Sequence, residues 1–118
     1  MNWQRAQREA ESRVAALLES ISAAGGCVAE IPLTNYPTPE DYDKILGVNA
    51  GWSWSDWLKV NRATVRLLRR AGYHVRLVPV TAAELFGWLV VNGLANTPAN
   101  RAQFAAARGT AARPSSKN

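Results

Sequence analysis

The stretch from residue 53 to residue 81, SWSDWLKVNRATVRLLRRAGYHVRLVPVT, constrains the fold more than any other part of the chain. Its periodicity predicts an amphipathic helix that is capped by Ser53 and stops at Gly72, followed by a buried strand over residues 74–80. Apolar side chains fall in one arc of this helix: Trp54, Trp57, Leu58, Val65 and Leu68. Cations fall in a second arc, which we call the basic row: Lys59, Arg62, Arg66, Arg69 and Arg70. Because the next acid after Asp56 is Glu84, no later carboxylate of this helix neutralises the basic row.

Four further helices and one further strand are predicted from periodicity, caps and glycine stops. The helices cover residues 3–24, 39–46, 82–92 and 98–108, and the strand covers residues 27–33. Each of these helices follows a residue that can cap it: Asn2, Thr38, Thr81 and Thr97. The predicted order is therefore α-β-α-α-β-α-α, an α+β fold that is mostly helical. Since the two strands are separated by helices, we expect a small two-stranded parallel sheet.

Length and composition favour one globular domain. The chain has 118 residues, of which 47% are hydrophobic, so it can bury a core without disulfide staples. We expect a single domain over residues 1–109. Residues 110–118 offer no core side chain larger than alanine, and we expect them to form a disordered tail.

The two predicted helix–strand units resemble each other. ISAAGGCVAEIPLT, from Ile21, aligns with LRRAGYHVRLVPVT, from Leu68. A duplicated unit is one interpretation, and recurrent use of the same helix-Gly-strand-Pro-Thr solution is the other. The alignment sets Cys27 opposite His74, so strands paired in that register would bring a thiol close to an imidazole. A buried thiol and an unrelated strand-end histidine are the structural alternative.

Residue types that support catalysis or metal binding are scarce. The chain has one histidine and one cysteine, which excludes the usual zinc sites of three or four such ligands. Glu40, Asp41 and Asp43 form a small acidic cluster, but Asp41 is explained by its place at a helix start. We therefore expect a protein that is not an enzyme, with no catalytic residues, no metal and no cofactor.

A net charge of +5 and a sequence pI near 10.0 favour an anionic partner. The leading hypothesis is a small basic binding protein whose row contacts nucleic-acid phosphates, or an accessory to a nucleic-acid complex. The alternative is a protein-interaction or self-association module, in which the row docks an acidic protein or is merely solvated. Arginine outnumbers lysine in the row, which favours a partner with phosphate or carboxylate groups.

Two further groups of residues are candidate contacts. Trp52 lies just outside the central helix, where an exposed ring beside cations would be a stacking platform or an anchor for a partner. Asn100, Arg101 and Gln103 open the last helix with side-chain types that read base edges. The last two helices could then form a helix-turn-helix. A plain helical hairpin is the other reading, because the connector over residues 93–97 is longer than the usual turn.

Self-association and location are also predicted. Residues 82–92 are apolar nearly all round, and a small sheet leaves strand edges. The first helix is predicted to bury one side, along a regular apolar stripe made of Trp3, Ala10, Val14, Leu17 and Ile21. These features favour a homodimer.

The N-terminus is charged, the apolar run over residues 85–91 is too short to span a bilayer, and a lone cysteine allows no internal disulfide. We expect a cytoplasmic protein with no membrane partner.

Overall fold

The computed structural model describes residues 1–26, 30–47 and 51–111, with side chains described up to residue 108. Its elements are α1 (Trp3–Ala23), β1 (Ile31–Asn35), α2 (Pro39–Leu46), α3 (Trp54–Arg70), β2 (Val75–Pro79), α4 (Ala82–Asn92) and α5 (Pro98–Ala111). The two strands form one parallel sheet. This confirms the predicted mostly helical α+β class and the predicted order of elements. None of the described helices is long and apolar enough to cross a membrane.

The helices begin where the sequence places capping residues. The side chains of Asn2, Thr38, Ser53 and Thr81 each accept the backbone N–H three residues later. At α4 the Thr81 hydroxyl also donates to Glu84 Oε1 at 3.0 Å, so the side chains of the cap and of Glu84 are joined directly. A side-chain oxygen thus satisfies one of the unpaired N–H groups at each of these helix starts.

α3 ends in a Schellman motif centred on Gly72. The Tyr73 N–H donates to Leu68 O at 3.0 Å, and the Gly72 N–H donates to Arg69 O at 3.0 Å. Gly72 adopts a φ of +97°, a region that side-chain-bearing residues rarely occupy. This turn redirects the chain at once, so that Tyr73 and His74 lie between the end of α3 and the start of β2.

A pair of alanine substitutions tests this account of the glycines. Gly72→Ala should lower the free energy of unfolding by about 1–2 kcal/mol, because alanine must adopt a positive φ. Gly87→Ala in the exposed middle of α4 should raise it by about 0.5–1 kcal/mol, since open space surrounds the added methyl group. Chemical denaturation of both variants measures the two changes. If both substitutions changed the free energy of unfolding in the same direction, the conformational role of Gly72 would be contradicted.

The chain divides into two compact units, Met1–Ile31 with Gly51–Val75 and Pro32–Ala50 with Arg76–Asn118. The first unit is a pair of helices, α1 and α3, that run parallel: Met1 lies against Asp56 and Lys59, and Gln7 lies near Arg66. Its core cluster is made of Ala6, Ala10, Val60 and Ala63. Small residues at these positions let the two helix backbones approach closely, so α1 is a packing partner for α3 within the chain.

The apolar stripe predicted on α1 is only partly used in this packing. Ala6 and Ala10 are completely buried, whereas Trp3, predicted to lie on the buried side, is 52% exposed. Ala6 and Ala10 pack in the core cluster with Val60 and Ala63, whereas the Trp3 ring lies 5.7 Å from Lys59 Nζ. The hypothesis that this stripe forms a seam with a second copy stays untested.

The second unit contains the main part of the sheet with α2, α4 and α5. Leu33, Val78 and Leu85 are among its buried side chains, and Trp88 packs on Phe104 with ring centroids 5.4 Å apart. Asp41 joins the starts of two helices here. Its carboxylate accepts the Thr38 hydroxyl at 2.8 Å and the backbone N–H of Ala82, the first residue of α4, at 2.8 Å.

β1 lies further along the chain than predicted. It covers Ile31–Asn35 instead of residues 27–33, so Pro32 lies inside the strand. Pro32 is tolerated because Ile31 donates its N–H to His74 O at 2.8 Å, and alternation turns the nitrogen of the next residue away from β2. This register sets Ile31 beside His74. The internal alignment would instead set Ile31 opposite Val78, so the register of the described residues differs from it. The predicted place of Cys27 opposite His74 lies outside the described residues.

The last helix also extends beyond its predicted end. α5 continues to Ala111, past the predicted stop at Gly109. Gly109 thus lies within a helix whose alanine-rich surroundings have high helix propensity. Most of the tail predicted over residues 110–118 lies outside the described residues.

Candidate functional site

The basic row occupies one side of α3, and the other side of the helix anchors it. Trp57, Val60 and Leu68 are buried, with Leu68 completely enclosed. Four of the five cations are exposed: Arg62, Arg66, Arg69 and Arg70. The structure therefore brings the predicted cations together on one accessible surface. From Arg62 to Arg69 this surface extends roughly 10 Å along the helix axis, at a rise of about 1.5 Å per residue.

Lys59 differs from the arginines, because it is already engaged. Its Nζ donates to the carbonyl oxygen of Met1 at 2.8 Å and lies 5.7 Å from the centroid of the Trp3 ring. The Met1 amino group pairs in turn with Asp56 Oδ1 at 3.0 Å, and this contact holds the pKa of the Asp56 carboxyl below its usual value. Lys59 thus fixes the start of α1 onto α3, which leaves the four arginines as the exposed part of the row.

Two of the arginines are positioned by weak contacts. Arg66 Nη2 lies 3.5 Å from Gln7 Oε1 on α1, and Arg69 Nη2 lies 3.5 Å from the carbonyl oxygen of Val75. Hydrogen bonds of this length hold a guanidinium loosely. Both groups keep most of their donors available for a ligand.

A pocket of about 420 Å³ lies at the C-terminal end of the row. Its lining residues are Glu30, Arg69, Gly72, Tyr73, His74 and Val75. The Schellman turn at Gly72 builds this pocket, since it brings the aromatic pair Tyr73 and His74 next to Arg69. A cation, a carboxylate and two aromatic side chains thus share one cavity.

Trp52 and Trp3 differ in their exposure to solvent. Trp52, the predicted exposed platform, is half-buried and packs against the core cluster of the first unit. Packing against the alanines and Val60 occupies part of its surface, and the proposed stacking or anchoring role of Trp52 stays a prediction. Trp3 is instead the exposed tryptophan beside a cation of the row.

The predicted base-reading residues of α5 are partly used within the second unit. Asn100 Nδ2 donates to Ala95 O at 2.8 Å, and Arg101 donates to Asn96 Oδ1 at 2.8 Å. These bonds hold the connector between α4 and α5, and Asn96 in turn donates to Ile45 O at 2.7 Å. Gln103 is exposed. Whether these residues contact bases stays a prediction.

The acidic cluster is explained by helix geometry. The Ala82 N–H and the Thr38 hydroxyl hold the pKa of the Asp41 carboxyl below its usual value, with a smaller contribution from Lys44. Within the described residues, no group of three or more histidine, cysteine or acidic side chains is placed to hold a metal ion.

Sequence reasoning missed two members of the site. Neither Tyr73, which follows the stop at Gly72, nor Glu30, which lies in the first predicted strand, stands out in the sequence as a contact residue. The signal that locates Tyr73 is the Ala71-Gly72 stop directly after a run of arginines. Glu30 can be located only through strand pairing, because Ile31 beside His74 brings its neighbour to the same end of the sheet.

Comparison of the chain with protein-family models, with curated proteins and with solved structures found no match.

Proposed function

We propose that this protein binds nucleic acid and that the arginines of the basic row contact its phosphates. The observation that carries the proposal is the exposure of Arg62, Arg66, Arg69 and Arg70 on one side of a well-anchored helix. Guanidinium groups bind phosphate oxygens bidentately, and a rigid helix fixes their spacing. The row contains charge but few groups that distinguish bases, so its contribution is mainly independent of sequence.

The rival partner for the row is an acidic protein. Carboxylates also pair with guanidinium groups, and the net charge of +5 favours either polyanion. A nucleic acid is preferred because its charges are regularly spaced along one backbone, which suits a linear row. An acidic protein remains the alternative that the experiment below separates. A non-enzymatic role and a cytoplasmic location belong to the same proposal.

Replacing Arg62 and Arg66 together with glutamine tests the proposal. The affinity for duplex DNA should fall, and the log–log dependence on salt concentration should flatten by roughly two units, because each phosphate contact contributes about 0.9. Fluorescence anisotropy titrations at several salt concentrations measure the slope. Both residues are exposed, so the free energy of unfolding should change by no more than about 0.5 kcal/mol.

The matched control replaces Arg5 and Arg8 with glutamine. These exposed arginines lie on α1 outside the row, and the control removes the same charge. A slope reduced equally by both pairs would show that net charge, and not the row, drives binding. Tight binding of polyglutamate together with no binding of any nucleic acid would favour the acidic-protein alternative.

We also propose self-association through α4 as a second role. The observation that favours it is the exposure of Val90 and Val91, at 80% and 84%, beside Gly87 on the same helix. Such an exposed apolar face typically marks an interaction surface. A homodimer is the simplest assembly that would cover it.

Replacing Val91 with glutamate tests this second role. If α4 forms the dimer contact, multi-angle light scattering should show a dimer mass for the parent chain and a monomer mass for the variant. A buried charge without a partner is strongly unfavourable at an interface, so the change should be complete at micromolar protein. A monomer mass for the parent chain over a broad concentration range would overturn the proposal.

A further inference from the structure

We infer that the pocket at the end of the basic row accepts one nucleotide of a single-stranded nucleic acid, with its base against Tyr73 and its phosphate on Arg69. The inference rests on the proposed function and adds the class of nucleic acid and a base-binding site. The juxtaposition that carries it is a cavity of about 420 Å³ that opens directly beside a row of exposed arginines.

The size of the pocket fits a nucleotide. Small-molecule pockets in proteins span roughly 300–1,000 Å³, and a cavity of about 420 Å³ lies at the lower end of that range. Arg69 belongs both to the basic row and to the pocket lining. A phosphodiester chain lying along Arg62 and Arg66 therefore reaches the mouth of the pocket at Arg69.

The charges of the lining select among anions. Arg69 offers a site for a phosphate, but Glu30 in the same cavity repels a second negative group. An acidic peptide or a free phosphate ion would have its charge opposed by that carboxylate. A nucleotide avoids the conflict, because it pairs one anionic group with a neutral base.

The aromatic side chains of the lining offer a surface on which a base can stack. Tyr73 is half-buried and His74 is exposed, and both line the same cavity. Base stacking on an aromatic side chain is a common mode of single-strand recognition and tolerates different bases. At the other end of the row, the exposed ring of Trp3 beside Lys59 offers a second stacking surface. The distance from Lys59 to Arg69 is about 15 Å along α3, enough for a few nucleotides between the two ends.

A duplex cannot use this pocket. Its bases are paired and stacked inside the helix, so only the phosphates would reach the row. A single strand, a loop or a frayed end presents unstacked bases that can enter a cavity. We therefore expect the protein to prefer single strands over the duplex of the same sequence, because only single strands gain the stacking contact.

The experiment compares a mixed-sequence single-stranded DNA, the RNA of the same sequence and the DNA duplex, each labelled for anisotropy. The parent chain should bind both single strands about tenfold more tightly than the duplex. Tyr73→Ala should cost roughly tenfold in single-strand affinity, leave duplex affinity unchanged and leave the salt slope unchanged, since stacking contacts release no counterions. Tyr73→Phe keeps the ring and should bind as the parent chain does. The RNA and DNA arms show whether the 2′-hydroxyl contributes.

His74 provides a second measurement that needs no variant. It is the one histidine of the chain, so its imidazole gives a single identifiable set of proton NMR signals. These signals should shift when the single strand is added and stay in place when the duplex is added.

The outcomes separate this inference from the proposed function. No binding of any of the three nucleic acids would overturn both. Binding with equal affinity for single strand and duplex, with Tyr73→Ala and the His74 signals unaffected, would overturn the pocket alone and leave phosphate binding by the row intact.

Discussion

Replacing Leu68 with alanine should lower the free energy of unfolding by about 2–5 kcal/mol. Leu68 is completely buried in α3, and its carbonyl accepts the Tyr73 N–H of the Schellman motif. Truncation removes a buried side chain and leaves a cavity, and both effects reduce stability. Since small domains are stable by roughly 5–15 kcal/mol, this single change would remove a large part of the total. Urea denaturation followed by circular dichroism measures it.

Leu77→Ala is the matched control for this prediction. Leu77 is the same residue type in β2 but is 42% exposed, so its truncation should cost no more than about 1 kcal/mol. Similar losses for the two variants would contradict the assignment of Leu68 to a tightly packed core. Leu68→Ala should also weaken single-strand binding, because the turn that follows Leu68 builds the pocket.

Local signals account for most of what the sequence predicted correctly. Capping residues and glycine stops act within a few positions of themselves, so Thr38, Ser53 and Thr81 located helix starts that the structure confirms. Parallel pairing was predicted from the order of the elements, because a helical connection between two strands favours a crossover to a parallel neighbour.

Contacts between residues far apart in the sequence account for the differences between the predicted and the observed structure. The register of β1 against β2 depends on which residues meet across the sheet, and the internal sequence similarity suggested a different alignment from the one observed. The burial of Ala6 and the exposure of Trp3 depend on the approach of α1 to α3, and a hydrophobic pattern cannot reveal which side chains fit a close contact.

In the candidate site, too, local patterns were visible from the sequence and long-range contacts were not. The basic row was visible from the sequence because helical periodicity groups its members on one side. The engagement of Lys59 by Met1 and the contribution of Glu30 to the pocket were not visible, since each joins residues far apart in the chain.

Replacing Asp41 with alanine should lower the free energy of unfolding by about 1–2 kcal/mol at neutral pH. The carboxylate acts at two helix starts, because it accepts the Thr38 hydroxyl at α2 and the Ala82 N–H at α4. Loss of a cap costs about 1 kcal/mol, and the N–H of Ala82 would also lose its acceptor. Asp41→Asn should cost less than Asp41→Ala, since its amide oxygen can still accept that N–H.

Asp43→Ala is the control. Asp43 is exposed on the same short helix, and its replacement removes the same charge. Its stability should stay within about 0.5 kcal/mol of the parent chain. A loss as large as that of Asp41→Ala would show that net charge, and not the link between α2 and α4, is responsible.

The effect of Asp41 should also depend on pH in a defined direction. Its hydrogen bonds lower the pKa of the carboxyl in the folded protein from a usual value of 3.8, so folding favours the charged form. The stabilisation is therefore fully present above pH 3.8 and is lost as the pH falls through the lowered pKa. Denaturation of the parent chain and of Asp41→Ala should give curves that differ most near neutral pH and converge in acid. A difference that grows as the pH falls would contradict the role assigned to the charged carboxylate.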